Sequence, residues 1–239
     1  MLRNFLSENF RLKTDQIFGE LTSDEHELLL KSSVTHLYKK GDVLFREEGI
    51  PAGIYLVRSG RVKKYKTTGS GTEKIFYLCC EDELLGYHAL LSGEFYSDSA
   101  AAVEDSEITF IPKEAFLKVL NDSASLANAL LKAMGHEFCL FINSITNLAT
   151  KSVRERVALN LLILDEKFKP RESNGSPSAI TLSRADLANM VGTAKENLVR
   201  ILQEFKKAGL IEKSDKCIRI LDHKNMIIEA DILEFSSRR

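Results

Sequence analysis

The chain has 239 residues, 33 Lys and Arg against 34 Asp and Glu, and a net charge of -1. That length buries a substantial core and points to two domains, and no long low-complexity run interrupts it. Met1-Leu-Arg-Asn-Phe-Leu is too short for the apolar core of a signal peptide and no window is apolar for long enough to cross a bilayer, so the expectation is a soluble, cytoplasmic protein with no membrane partner.

The near-neutral sum hides a gradient. Residues 151–239 carry 17 Lys and Arg against 13 Asp and Glu, a net +4, which leaves 16 against 21, a net -5, for residues 1–150. A basic C-terminal part on an acidic body suits nucleic-acid binding confined to one domain. Cys79 and Cys80 are adjacent, Cys139 and Cys217 lie far off, and no Cys-x-x-Cys spacing occurs. Neighbouring strand residues point to opposite faces, which argues against a shared metal and for buried or half-buried thiols.

In chain order, Thr22-Ser-Asp-Glu-His-Glu-Leu-Leu-Leu-Lys predicts a short helix starting at a Ser23-x-x-His26 cap. From Lys39 to Leu78, β-branched and aromatic runs alternate with turns at Gly41, Gly49, Gly53 and Gly60, the pattern of many short antiparallel strands in a barrel or jelly roll. Between Ser123 and Leu148, the residues Leu126, Leu130, Met134, Phe138, Phe141, Ile145 and Leu148 form an apolar stripe too long for an ordinary globular helix, and it suits a helix paired with its own copy. Ser152 to Leu164 predicts an amphipathic helix, and Lys169 to Ser178 a polar loop.

Residues 180–202 then spell two short helices about a glycine. Ser183 and Asp186 cap the first, Leu187, Met190 and Val191 form its apolar face, Ala188 is small enough for a helix to cross, and Gly192 ends it. Thr193 and Glu196 repeat the capping pattern, and Leu198, Ile201, Leu202 and Phe205 supply the buried side of the second. Its opposite face carries Lys195, Glu196 and Arg200. Arginine pairs bidentately with guanine, glutamate accepts from cytosine, and lysine reaches a phosphate or guanine, so this face suits a major groove. Leu210 to Leu221 follows as two β-prone runs about Ser214-Asp215, resembling the wing of a winged helix.

Lys-Gly-Asp-Val-Leu-Phe at 40–45, the Glu-Gly at 48–49, Ile-Tyr-Leu-Val-Arg-Ser-Gly-Arg-Val-Lys at 54–63 and the helix-turn-helix, in this order, resemble the Crp/Fnr superfamily of bacterial transcription regulators across essentially the whole chain. The resemblance implies an α+β fold: an N-terminal double-stranded β-roll (jelly roll) sensor of cyclic-nucleotide-binding type over 1–122, a long dimerisation helix over 123–150, and a C-terminal winged helix-turn-helix over 151–239. It also implies a homodimer on an inverted repeat of double-stranded DNA, with RNA polymerase and a possible small-molecule effector as further partners. Lys195, Glu196 and Arg200 would read bases of a TGA-type half-site while Arg184, Thr193 and Asn197 hold phosphates, and Ala194 and Val199 complete the DNA-facing set. Ala194-Lys195 departs from the Ser-Arg of the best-known members, which leaves open the base read there.

Nucleotide-binding members carry a Gly-Glu and a later Arg-Ser in a phosphate cassette. Here Gly86 is kept, Tyr87 stands at the Glu position and Tyr96 or Ser97 at the Arg position, with no Lys or Arg between Lys74 and Lys113. A buried phosphate without a cation, beside Asp98, argues against cyclic AMP. Tyr87, His88, Tyr96, Ser97, Phe141 and Ile142 would instead line a site for an apolar or aromatic effector, or none. No cofactor and no metal are expected. Iron–sulfur members use cysteines near the N-terminus, and residues 1–78 hold none; a lone His88 beside Ala89 and Leu90 suits packing better than haem ligation. An enzyme is disfavoured, because no nucleophile triad, metal triad or phosphate loop is present and the five histidines are scattered. A protein-binding module that had lost DNA contact would not need the Glu196/Arg200 pair.

Overall fold

The structure is a computed structural model describing residues 2–169, 178–214 and 217–232. The expected polar loop (170–177) and the Asp215 side of the expected wing turn lie outside them. The chain divides into two compact units, Leu12–Cys139, and Met1–Arg11 with Leu140–Arg239. An opening helix that the sequence pattern did not announce, α1 (Leu2–Phe10), belongs to the second.

The first unit begins with a 3-10 turn at Thr14–Glu20 and helix α2 (Ser23–Lys31). The α2 cap differs from expectation by one residue. Thr22 is the N-cap, its hydroxyl accepting from the Glu25 backbone N–H at 3.4 Å while the Glu25 carboxylate accepts from the Thr22 N–H at 2.7 Å. A carboxylate closes this reciprocal pair with a charge-assisted bond that His26 could not supply. Strands β1 (Val34–Tyr38), β2 (Val43–Phe45), β3 (Gly53–Ser59), β4 (Val62–Thr67), β5 (Glu73–Cys79) and β6 (Leu84–Leu85) follow, then α3 (Tyr87–Ser92), β7 (Ser99–Ala102), β8 (Ser106–Pro112) and α4 (Lys113–Asp122). They form two antiparallel four-stranded sheets, ordered β1-β8-β3-β6 and β2-β7-β4-β5.

Two glycines act differently. Gly60 has φ +84° and turns the chain between β3 and β4, where a Cβ would meet the Ser106 backbone at 2.7 Å. Gly53, expected as a turn, instead starts β3: a side chain there would sit 2.2 Å from the Ile111 carbonyl oxygen, so glycine lets β8 approach. Ile54, Leu56, Leu84, Tyr87 and Ile111 from the sheets and α3 pack with Leu29, Phe116, Val119, Leu126 and Leu130 from the helices as one apolar core.

Helix α5 (Ala124–Thr150) runs for 27 residues. The expected stripe splits here into two faces. Leu126, Leu130, Ala133, Glu137 and Leu140 are buried, whereas Leu131, Met134, Phe138, Phe141, Ile145 and Leu148 are exposed, Leu131, Phe138 and Ile145 by about two thirds. The exposed set steps three and four residues in strict alternation. That is an a/d heptad, in register with Leu131 and not with Leu126 or Leu130. Cys79 is buried and Cys80 and Cys217 are half-buried, whereas Cys139, on the exposed side of α5, corrects the expectation that all are at least half-buried.

In the second unit, α6 (Val153–Phe168) starts from a Ser152/Glu155 capping box. It is more deeply buried than the amphipathic helix its sequence predicts: every residue from Leu161 to Asp165 is buried, so neighbours cover that part on most sides. Helices α7 (Arg184–Val191) and α8 (Lys195–Lys207), the antiparallel hairpin β9 (Ile211–Lys213) with β10 (Ile218–Ile220), and α9 (His223–Glu229) complete it.

Candidate nucleic-acid interface and effector site

The turn between α7 and α8 is built by backbone chemistry. Ser183 caps α7 by accepting from the Asp186 N–H at 3.0 Å. Gly192, at φ +74°, closes it with N–H donations from Gly192 and Thr193 to the Ala188 carbonyl, both at 3.0 Å. Thr193 is not the cap of α8 that its position suggests. The N-cap is Ala194, with no side-chain cap, and the Thr193 hydroxyl instead accepts from the Asn197 amide at 3.0 Å. The first-turn N–H groups of α8 are therefore left without a side-chain acceptor from its N-cap.

Leu198, Ile201, Leu202 and Phe205 bury one side of α8, and the Arg154 guanidinium lies 4.6 Å over the Phe205 ring. The opposite side presents Ala194, Lys195, Glu196 and Arg200 to solvent, with Asn197 and Val199 half-buried beside them. Arg200 does not pair with Glu196. It donates to Glu204 at 2.6 Å and Asn197 at 2.8 Å, and its side chain stays 64% exposed. Glu204 is shared, because Arg154 also donates to it at 2.7 Å, so the carboxylate keeps a cation if Arg200 swings away. Arg184 donates to the Ser214 carbonyl at 2.8 Å, which holds the start of α7 against the end of β9.

The residues expected at an effector site differ in burial. Tyr96 is buried with its ring stacked on Phe45 at 4.1 Å, and burial pushes its phenol above the ordinary range. Ser97 is exposed, and Phe141 and Ile142 are exposed residues of the second unit. The Tyr87 and His88 rings lie 4.0 Å apart, tilted by 30°, and share one partner that the sequence did not single out, Glu137 of α5. The Glu137 Oε2 accepts a short hydrogen bond from the Tyr87 hydroxyl and another from His88 Nε2 at 2.6 Å.

A cation does reach this region, from β4 rather than from the cassette. Lys64 Nζ is 3.5 Å from Glu137 and 3.6 Å from Asp98, with its side chain only 5% exposed. Asp98 is thus a partner of a lysine rather than an uncompensated repulsion. Burial works against the charge on Lys64, but the carboxylates of Glu137 and Asp98 outweigh it and hold the ammonium above the ordinary lysine range. Burial likewise opposes ionisation of Glu137, yet the His88 hydrogen bond and the Lys64 charge bring it down to about 2. Two signals could have found the pair: Lys64 falls on the inward alternation of β4 with Val62, and Glu137 on the inward step of α5 after Leu130 and Ala133. Among the described residues, no group of three or more His, Cys, Asp or Glu is placed to hold a metal, and no helix is long and apolar enough to cross a membrane.

Residues 35–123 match the cyclic nucleotide-binding domain family, and residues 155–226 match the Crp-like helix-turn-helix domain family. The transcriptional activator protein Anr of Pseudomonas aeruginosa is 31% identical over 185 residues, covering 77% of this chain and 75% of that protein. The fumarate and nitrate reduction regulatory protein of Escherichia coli is 29% identical over 208 residues, 86% of this chain and 83% of that one. A transcriptional regulator of the Crp/Fnr family from Eubacterium rectale superposes with a TM-score of 0.71 at 24% identity, covering 90% and 97% of the two chains.

A jelly roll followed by a long helix and a winged helix-turn-helix, with transcription activators as relatives, defines a DNA-binding transcription regulator rather than an enzyme. The chain belongs to the Crp/Fnr family.

Proposed function

We propose that the protein acts as a homodimer on an inverted repeat, reading bases with Lys195, Glu196 and Arg200, and that cyclic AMP is not its effector. In this reading residues 1–122 serve as the sensor, 123–150 as the dimerisation helix and 151–239 as the DNA-binding domain, working in the cytoplasm. The observation that carries it is the exposed heptad from Leu131 to Leu148. Six large apolar side chains in a/d register on one helix match a seam with a second copy, and a two-fold dimer places two α8 helices on two half-sites. The uncapped start of α8 supports a phosphate contact there, with Arg184, Thr193 and Asn197 alongside. Against cyclic AMP stands the Lys64 ammonium, which is already balanced by Glu137 and Asp98, so a phosphate would add a third negative charge to a buried cluster. Relatives that are transcriptional activators support RNA polymerase as a further partner.

Selection from random duplex DNA tests the assembly. The wild-type chain is expected to recover an inverted repeat with TGA-type half-sites centred about 34 Å apart, one helical turn. Met134→Glu places a charge in the seam and should sediment as a folded monomer that recovers no repeat. A wild-type monomer at micromolar concentration, with α5 formed, would refute the dimer. Calorimetry addresses the effector: saturable cyclic AMP binding below about 100 μM, roughly -5.5 kcal/mol, would overturn that part.

A further inference from the structure

The buried polar cluster of the first unit is more than a neutralised pocket. We propose that Lys64, Tyr87 and His88 form a carboxylate receptor and that Glu137 is its built-in ligand, latching the N-terminal half of α5 onto the roll without a diffusible anion. The inference rests on the reading that this roll is not a cyclic-nucleotide receptor, and deepens it by naming what the site holds instead.

Each donor suits a carboxylate. The Tyr87 hydroxyl and His88 Nε2 converge on the same oxygen, Oε2, while Lys64 approaches the other, Oε1, at 3.5 Å. Two directed donors on one oxygen and a cation facing the second make a receptor for a planar anion with two oxygens. The three donors come from two elements, β4 for Lys64 and the start of α3 for Tyr87 and His88, whereas the acceptor comes from a helix packed on the core through Leu126, Leu130 and Ala133. Glu137 therefore spans from one element to two others, as a bound ligand would. Its side chain is 4% exposed and that of Lys64 is 5% exposed, while the His88 ring, 34% exposed, is the side on which the receptor meets solvent. Helix packing alone would be served by an apolar residue at this inward position, in step with Ala133 and Leu140. Keeping a carboxylate there requires the three donors.

The receptor is tested by removing its ligand and supplying the missing atoms from solution. Glu137→Ala deletes a CH2 and a carboxylate from the side chain, a fragment matched by acetate. In the full-length variant, sodium acetate should raise the melting temperature saturably, by about 3–6 °C above sodium chloride of equal ionic strength. The wild type, its receptor already filled, should show no such excess, and Lys64→Met/Glu137→Ala should lose it. If Glu137→Ala does not fold in chloride, the same comparison is made on refolding yield from denaturant in acetate against chloride. An acetate effect equal in all three proteins, or absent from Glu137→Ala, would overturn the proposal. Stabilisation of the wild type by cyclic AMP would instead overturn the effector reading while leaving the acetate result standing.

Discussion

The two units use the same kinds of charged residue in opposite ways. In Leu12–Cys139 a lysine, a histidine and two carboxylates are drawn inward and satisfied by one another, Lys64 and Glu137 being almost wholly buried. On α8 a lysine, a glutamate and an arginine stand in solvent, and Arg200 is held only by neighbours on its own helix. A buried charge is fixed by the fold and governs stability, whereas an exposed charge contributes little to folding and remains available to a partner.

Removing one charge from each unit should have unequal effects. Glu137→Ala leaves Lys64 underpaired in the core and should cost about 3–5 kcal/mol in denaturant unfolding, while Lys195→Ala should change stability by less than about 0.5 kcal/mol. Lys64→Met combined with Glu137→Leu should be less destabilised than Glu137→Ala, since no cation is then stranded beside an apolar helix. A cost near zero for Glu137→Ala would erase the distinction.

Acid sharpens it further. The carboxyl of Glu137 sits at about 2 in the folded protein against an ordinary 4.5, so its contribution is complete above pH 4.5 and is lost as the pH falls from 4.5 toward 2. That window should account for roughly 3 kcal/mol of acid destabilisation. Equilibrium unfolding of Glu137→Gln across the same range should show a flatter pH profile than the wild type.

On the DNA side the effects are smaller and appear in binding rather than in folding. Arg200→Ala should cost about 1–3 kcal/mol of affinity and relax specificity at one base pair, whereas Arg184→Ala should weaken all sequences alike and reduce the salt slope by about one. Competition binding at several salt concentrations separates them, and an unchanged selected motif for Arg200→Ala would remove it from base readout. Smallest of all, Ser183→Ala should cost about 1 kcal/mol of thermal stability through the lost α7 cap. Thr193→Ala should cost less, because Thr193 caps nothing.

What could be read without the structure was chemistry of short range. Ser183 with Asp186, Gly192 as a left-handed stop and the buried step of Leu198, Ile201, Leu202 and Phe205 depend on neighbours within a turn or two, and each stands as its spacing indicates. Errors of one residue arose where two local solutions competed. Thr22 is the cap in place of Ser23 because Glu25 is in reach, and α8 starts one residue late, with the Thr193 N–H on the Ala188 carbonyl and its hydroxyl on Asn197. The short helix α1 is legible only in part: Leu2, Phe5 and Leu6 stand at helical spacing, but nine residues are too few to hold a helix without what they pack against.

The strand-and-glycine rhythm of the roll, the helix-turn-helix and the family to which both belong are legible in the chain alone, since they rest on local periodicity, turn conformation and motif order. Which heptad of α5 faces outward, and the meeting of Lys64 with Glu137 across 73 positions of chain, follow from the packed domain. The physical reason is that inward alternation on a strand and an inward step on a helix each tolerate a charge only when the other arrives, and no local rule brings together residues that meet through the packing of a whole domain.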